Sequence, residues 1–435
     1  MSTNRRLFLQ QLGAAGIVSL GIAPPAFLSR AAFAAEAGEN KPLTKQDGRI
    51  LVLVQMAGGN DGLNTVIPHG DADYYKARPA LGIPKANVLK IDDSLGLHPQ
   101  MTGFKELYDE GRLAIVQGIG YPNPDRSHFR SMDIWHSARP DAEYTQDGWL
   151  GRGLDLTVDQ HAGAMRAMAL GTNRLPLALL GSKVNVPSIS NLAGYHLELG
   201  AGPEANRTLQ RRLMGEIADR PSSTNGPGSS NELGSTGGLG SAASNLDFLR
   251  KTSLTAFTSA DKLKEVTASY KPAAPYPANG LGEKLKIVAQ IIAGELGTRV
   301  IFVSLDGFDT HAQQAGSHQA LLGELSSAVR AFFQDLKGHS LDDRVVLATF
   351  SEFGRRVKEN GSLGTDHGAA SQVFLAGPTV KGGLHGKHPS LTDLVEGDLK
   401  FHTDFRSVYA TLLSKVLGWP AETILGGTFP LLDFV

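Results

Sequence analysis

Five short segments gather side chains that could do chemistry together. "GGNDGLN" carries Asp61, "SLDGFDTHAQQ" carries Asp306, Asp309 and His311, "SEFGRR" carries Glu352, and "GTDHG" carries Asp366 and His367. The fifth, "PNPDRSHFRSMD", holds Arg126, Ser127, His128 and Arg130. Carboxylates attract hard cations such as calcium or magnesium, and imidazole shifts the preference toward zinc or manganese. A mixed Asp/Glu/His set is therefore the composition of a one- or two-metal hydrolytic centre. Ser127 adds a hydroxyl nucleophile near a helix start, where free amides and the helix dipole draw an anion. Arg126 and Arg130 could clamp a phosphate or sulfate, and His128 could act as ligand, acid or plain polar contact.

Each residue also has a plainer reading. Asp61 fits an Asn-Asp-Gly turn, Asp309 a helix cap, His311 a surface histidine and Ser127 an N-cap. Glu352 could pair with Arg355 or Arg356, and Asp366-His367-Gly368 could be an ordinary turn. A phosphate-cradling loop at "AGGNDG" is a third possibility, although no G-x-G-x-x-G or Walker sequence with its lysine occurs. Joint placement favours the metal reading, because the acids and imidazoles recur at several separate strand exits.

The elements that would hold them read as alternating strands and helices. Apolar runs at Ile50 to Val54, Leu113 to Gln117, Val300 to Ser304, Val345 to Phe350 and Val373 to Ala376 have the character of strands buried on both faces. Leu285, Ile287, Val288, Ile291 and Ile292 share one helical face. So do Leu321, Leu322, Leu325, Val329, Phe332, Phe333 and Leu336 in a helix from Ser317 to Lys337 that ends at Gly338. The expected fold is α/β, with a mostly parallel central sheet flanked by helices. In such folds ligands sit beyond the carboxyl ends of the strands, where the segments above fall. About residues 200–280 read as a helical insertion, with a Ser/Gly-rich disordered loop at about 220–245.

The 435-residue chain is 41% apolar and 20% charged. It begins "MSTNRRLFLQQLG", runs through a short apolar stretch and reaches Ala32-Phe33-Ala34, the pattern of a twin-arginine export signal over residues 1–34 with an A-x-A cleavage site. The stretch from Leu12 to Leu28 is interrupted by Gly and Pro and is short for a spanning helix, so no stable membrane anchor is expected after cleavage. Residues 1–34 hold three of the 42 basic residues and no acid, leaving 39 basic against 43 acidic, a net charge of −4 that suggests no nucleic-acid partner. With no cysteine, disulfides, thiolate metal sites and a cysteine nucleophile are excluded.

In combination, the leader with "GGNDGLNTVIP", "RSHF", "GFDTH", "SEFGRR", "GTDHG" and the closing "TDFRSVYATLL" resembles an exported bacterial family known as domain of unknown function 1501. The family is grouped with the alkaline phosphatase and sulfatase superfamily. The resemblance implies a single alkaline phosphatase-like domain over residues 35–435, export to the periplasm or beyond by the twin-arginine machinery, and hydrolysis of a phosphate or sulfate ester on a small molecule or polymer. It implies a divalent metal (zinc, manganese, calcium or magnesium) held by Asp61, Asp309, His311, Glu352, Asp366 and His367. Ser127 would stand in the nucleophile's place, with His128, Arg126 and Arg130 around it. Two departures stand out. Asp309 and His311 are closer in sequence than the usual pair, which keeps Asp306 in competition, and Phe353 replaces an expected histidine. The alternative implied is a metal-binding envelope protein that has kept the fold and lost catalysis.

Overall fold

The computed structural model describes residues 48–157, 165–172, 174–184, 186–189 and 269–435. The expected export signal and the greater part of the expected insertion lie outside the described residues.

A nine-stranded sheet forms the centre, built from β1 (Ile50–Ala57), β2 (Leu113–Gly120), β3 (Ala167–Leu170), β4 (Ser188–Ile189), β5 (Val300–Asp306), β6 (Val345–Phe350), β7 (Ser371–Ala376), β8 (Gly383–His385) and β9 (Thr403–Asp404). The order is β8-β2-β7-β6-β1-β5-β3-β4, with β9 also on β2. Every pairing is parallel except those of β7, which runs antiparallel between β2 and β6. The mostly parallel sheet read from the apolar runs is thus present. Strands β1, β2 and β5 extend two or three residues further toward their carboxyl ends than the apolar runs alone suggest. Among the extra residues Gln55 is polar but buried between neighbouring strands, whereas Asp306 is exposed at the end of β5.

Because side chains alternate across a strand, the buried residues divide into two layers. Leu51, Leu53, Phe302, Ala348 and Phe350 face α2 (His128–Ser137), α3 (Trp149–Thr157) and α6 (Phe405–Thr411), meeting Trp135, Trp149 and Tyr409. Ile50, Val52, Val54, Ile301, Val303 and Leu347 face α1 (Thr102–Asp109), α4 (Gly280–Ala293) and α5 (Gln314–Gly338). Asn279 caps α4 by accepting the Gly282 N–H at 2.7 Å. α5 buries the expected face, including Leu322, Val329, Phe332 and Phe333, but starts three residues before Ser317 and passes through Gly338 to a cap at His339.

Register brings the site together. Ala57 of β1 lies beside Asp306 of β5, and Gln55 beside Phe350 of β6, so the three chains leave the sheet side by side. Close approach there requires the paired glycines of "GGNDG". Gly58 has φ +120°, and a Cβ on it would meet the Asp309 amide nitrogen at 2.3 Å; a Cβ on Gly59, φ +80°, would strike the Phe353 ring.

Candidate metal centre

His128 begins α2, whose N-cap is Ser127. Asp309 and His311 follow β5, Glu352 follows β6, and Asp366 and His367 lie in the loop before β7, where His367 bridges to Arg355. The fold brings six of these residues into one cluster: His128, Asp309, His311, Glu352, Asp366 and His367.

Proton bookkeeping defines their roles. A neutral imidazole carries one proton, and a strictly accepting group close to Nδ1 can hold it there, which leaves Nε2 with its lone pair. His128 Nδ1 faces Glu352 Oε1 at 3.0 Å, His367 Nδ1 faces the Arg126 carbonyl at 2.7 Å, and His311 Nδ1 faces Asp366 Oδ1 at 3.2 Å. With the proton on Nδ1, all three rings turn an Nε2 lone pair toward Asp309, an arrangement that a cation between them would satisfy. His311 Nε2 is 3.1 Å and His367 Nε2 3.3 Å from Asp309 Oδ1, and His128 Nε2 is 3.4 Å from Oδ2. His128, Asp309 and His367 each offer a ligand atom within 4.8 Å of the others, the one such group among the described residues. His311 joins from the far side, its Nε2 2.8 Å from that of His367.

This donor set fits a divalent cation. His128 Nε2 is buried without a hydrogen-bond partner. Two lone pairs at 2.8 Å repel unless a proton or cation lies between them. Ligand bonds of about 2.0–2.2 Å put two donors on one ion roughly 3–4 Å apart, close to the separations here. Holding each imidazole through Nδ1 fixes the ring and leaves Nε2 to bind, the usual support of a metal-ligating histidine. Burial lowers the His367 pKa below the ordinary histidine value, which favours the neutral ring a metal ligand needs. Desolvation raises the Asp309 carboxyl, but Arg355, helped by His367 and His128, outweighs it and holds the group below the usual carboxylate range. For Asp366 the Asn360 amide leads a similar lowering.

Other expected residues are placed differently. Asp61 is fully buried away from the cluster, where Arg78 and the Gln314 amide bind its Oδ2 and the Asn64 N–H caps onto Oδ1. Desolvation works against its charge, but Arg78 dominates with the others and keeps its pKa low. Glu352 and Asp366 stand behind imidazoles as acceptors, and Glu352 pairs with His128 and the Gly58 N–H instead of Arg355 or Arg356. Arg355 is instead fully used on Asp309 and the carbonyls of Gly58, Gly59, Phe308 and Thr365. Asp306 accepts from Ser304 Oγ and stays out of the cluster. Arg126 is engaged by Asp398 and Glu396, and Arg130 donates to the Pro140 carbonyl, so neither guanidinium reaches the cluster. Ser127 is exposed and makes no capping bond with its hydroxyl. Phe353 lies buried against the rings of His128 and His367, with centroids 4.9 and 4.5 Å away. In the "AGGNDG" turn the Gly58 and Asn60 amides are already given to Glu352 and Ser351, which leaves no phosphate cradle.

Arg78, Gln314 and Asp398 were not legible in the sequence, and Arg355, expected as a partner for Glu352, pairs with Asp309 instead. Arginine or glutamine far along the chain carries no local signal of a buried pairing. His128 was legible only as one polar possibility among several.

The fold and the cluster define a class: an α/β protein with a mostly parallel sheet and an imidazole-carboxylate centre at its strand exits. Within that class, the chain belongs to the family described as "Protein of unknown function (DUF1501)", which matches residues 49–418. No curated protein matches it in sequence. Among solved structures it is similar to the zinc complex of the C-terminal periplasmic domain of EcEptC from Escherichia coli, with 10% identity and a TM-score of 0.35, covering 86% of this chain and 83% of that one. It is also similar to PsFucS1 sulfatase from Pseudoalteromonas sp., at 10% identity and a TM-score of 0.39, over 94% of this chain and 75% of that one. A third is a protein of the alkaline phosphatase superfamily from Vibrio parahaemolyticus, at 9% identity and a TM-score of 0.37, over 92% and 76%. At such scores these likenesses fix neither an activity nor a metal.

Proposed function

We propose that this protein is a divalent-metal-dependent hydrolase of phosphate or sulfate esters, exported folded by the twin-arginine route to the periplasm or beyond. The observation that carries the reading is the ring geometry: three imidazoles, each with an acceptor at Nδ1 and with Nε2 turned toward the Asp309 carboxylate. The centre is open to solvent, with 46% of the Asp309 side chain and 43% of that of His311 exposed, which suits substrate access better than a closed structural site.

His128, Asp309, His367 and His311 would hold the ion, with Glu352, Asp366 and the Arg126 carbonyl orienting the rings. A divalent ion there supplies positive charge beside the ester and acidifies a neighbouring hydroxyl or water. Ser127 presents a free hydroxyl one residue from His128, at the head of a ten-residue helix. Developing negative charge would be met by the first-turn amides of α2 rather than by Arg126, whose guanidinium is already paired.

A second reading, a non-catalytic metal-binding envelope protein, draws support from Asp61 and Phe353. Arg78 consumes the Asp61 carboxylate, and an apolar ring packs where another ligand would enlarge the site. The discriminating experiment assays purified protein on aryl phosphates and aryl sulfates with added zinc, manganese, calcium or magnesium, beside Asp309→Asn and Ser127→Ala. Turnover abolished by Asp309→Asn is expected. Full turnover in Ser127→Ala would make water the nucleophile, bound metal without turnover would favour the second reading, and no bound metal would overturn both.

A further inference from the structure

The geometry points to Asp398 as a positioning residue for the centre, acting through Arg126; this rests on the metal reading above for its consequence, though not for its geometry. Asp398 lies in a small hairpin, Leu394–Val395 paired with Asp398–Leu399, outside every segment that supplies a ligand. It is 2% exposed, and its Oδ2 accepts from Arg126 Nε at 2.8 Å and Nη2 at 2.6 Å. Its Oδ1 has no hydrogen-bond partner and faces Arg356 Nε at 3.8 Å. One buried carboxylate therefore sits between two arginines from different arms of the site.

Those arms are the ones that must stay in register. The backbone carbonyl of Arg126 receives the His367 Nδ1–H, and Ser127 and His128 follow directly in the chain. On the other side, the Arg356 N–H donates to the Asp366 carbonyl, and neighbouring Arg355 bridges to His367. Anchoring the Arg126 side chain fixes the direction of its carbonyl, and that carbonyl, 2.7 Å from His367 Nδ1 against 3.3 Å from Asp309 Oδ1 to Nε2, favours the tautomer with the proton on Nδ1. Glu396 also touches Arg126, but its side chain is 74% exposed, so water competes for that contact. The buried Asp398 contact is the one that constrains the loop.

The test is Asp398→Asn, with Arg126→Gln as the second route to the same break and Glu396→Gln as the exposed-partner control. Imidazole nitrogen shifts of His367, read by long-range proton-nitrogen NMR in metal-free protein, report the tautomer directly. Wild type is expected to show Nδ1–H, and both site variants a mixture of the two forms. Zinc affinity, from competition with a chromophoric chelator, should fall about 10- to 100-fold in both and stay within a few fold in Glu396→Gln. Should Asp398→Asn fail to fold, Arg126→Gln gives the same readouts. A pure Nδ1–H tautomer with unchanged zinc affinity in the variants, whatever their melting temperatures, would overturn the assignment. If wild type binds no zinc yet the variants lose the tautomer, the positioning role stands and the metal reading fails.

Discussion

Removing Arg78 separates a ligand role for Asp61 from a structural one. Both side chains of the pair are 0% exposed, and Asp61 otherwise receives only the Gln314 amide and a long 3.4 Å contact from the Asn64 N–H. In Arg78→Met, of similar length and no charge, the Asp61 carboxylate stays buried without its countercharge, and the Val357 and Arg356 carbonyls lose donors at 2.9 Å. Breaking one side of a buried pair costs about 3–5 kcal/mol, a large part of the roughly 5–15 kcal/mol that holds a domain folded. Asp61→Asn should cost less, because Arg78 keeps the Asn64 side chain and two carbonyls as acceptors. The double variant should lose clearly less than the sum of the singles, a coupling within the roughly 0.5–3 kcal/mol range of contacting residues or somewhat above it. Urea denaturation of the four proteins gives these numbers, and metal content measured on the same samples completes the test. Asp61→Asn is expected to retain its ion. Loss of the ion in Asp61→Asn with stability nearly intact would refute the assignment of Asp61 to Arg78.

Three further outcomes follow from the same geometry. Glu352→Gln removes the charge behind His128, and zinc affinity measured by chelator competition should drop about 10-fold or more with the fold preserved. Gly58→Ala puts a methyl group 2.3 Å from the Asp309 amide, so it should lower both the melting temperature and zinc affinity; an unchanged affinity would mean that Asp309 does not depend on this close approach. Burial lowers the pKa of His98 and His318 to about 4 and of His136 to about 3, so these rings stay neutral in the folded chain while the unfolded chain takes up protons below its ordinary value near 6.5. The folded form therefore loses stability as pH falls from about 6.5 toward 4, with a slope approaching 4 kcal/mol per pH unit near pH 5, three protons at about 1.4 kcal/mol each. A flat profile over that window would contradict the buried neutral rings.

Much of the architecture was legible because apolar runs such as Val345 to Phe350 are buried on both faces, and the period of Leu322, Val329 and Phe332 admits only a helix against the sheet. Asp309, His311 and His367 lie beyond the ends of strands, the positions at which the strand-exit rule looks for ligands. What local pattern could not show was direction. Asp61 and Asp309 both follow buried strands, yet Arg78, 17 residues on, turns one into a structural anion, while Arg355 leaves the other half-exposed beside three imidazoles. Glu352 and Asp366 carry ligand chemistry but stand one ring too far back, because His128 and His311 come between them and the open space. Nothing in "PNPDRSHFR" announces that the Arg126 carbonyl, rather than its guanidinium, is what serves the centre.

If the proposed centre is right, His128, Asp309 and His367 hold a divalent cation through Nε2 and carboxylate oxygen. Anomalous diffraction from crystals grown with zinc tests it most directly. An ion is expected within bonding distance of His128 Nε2, His367 Nε2 and an Asp309 oxygen, absent in His367→Gln crystals. An ion at Asp61, or none at all, would rule the centre out.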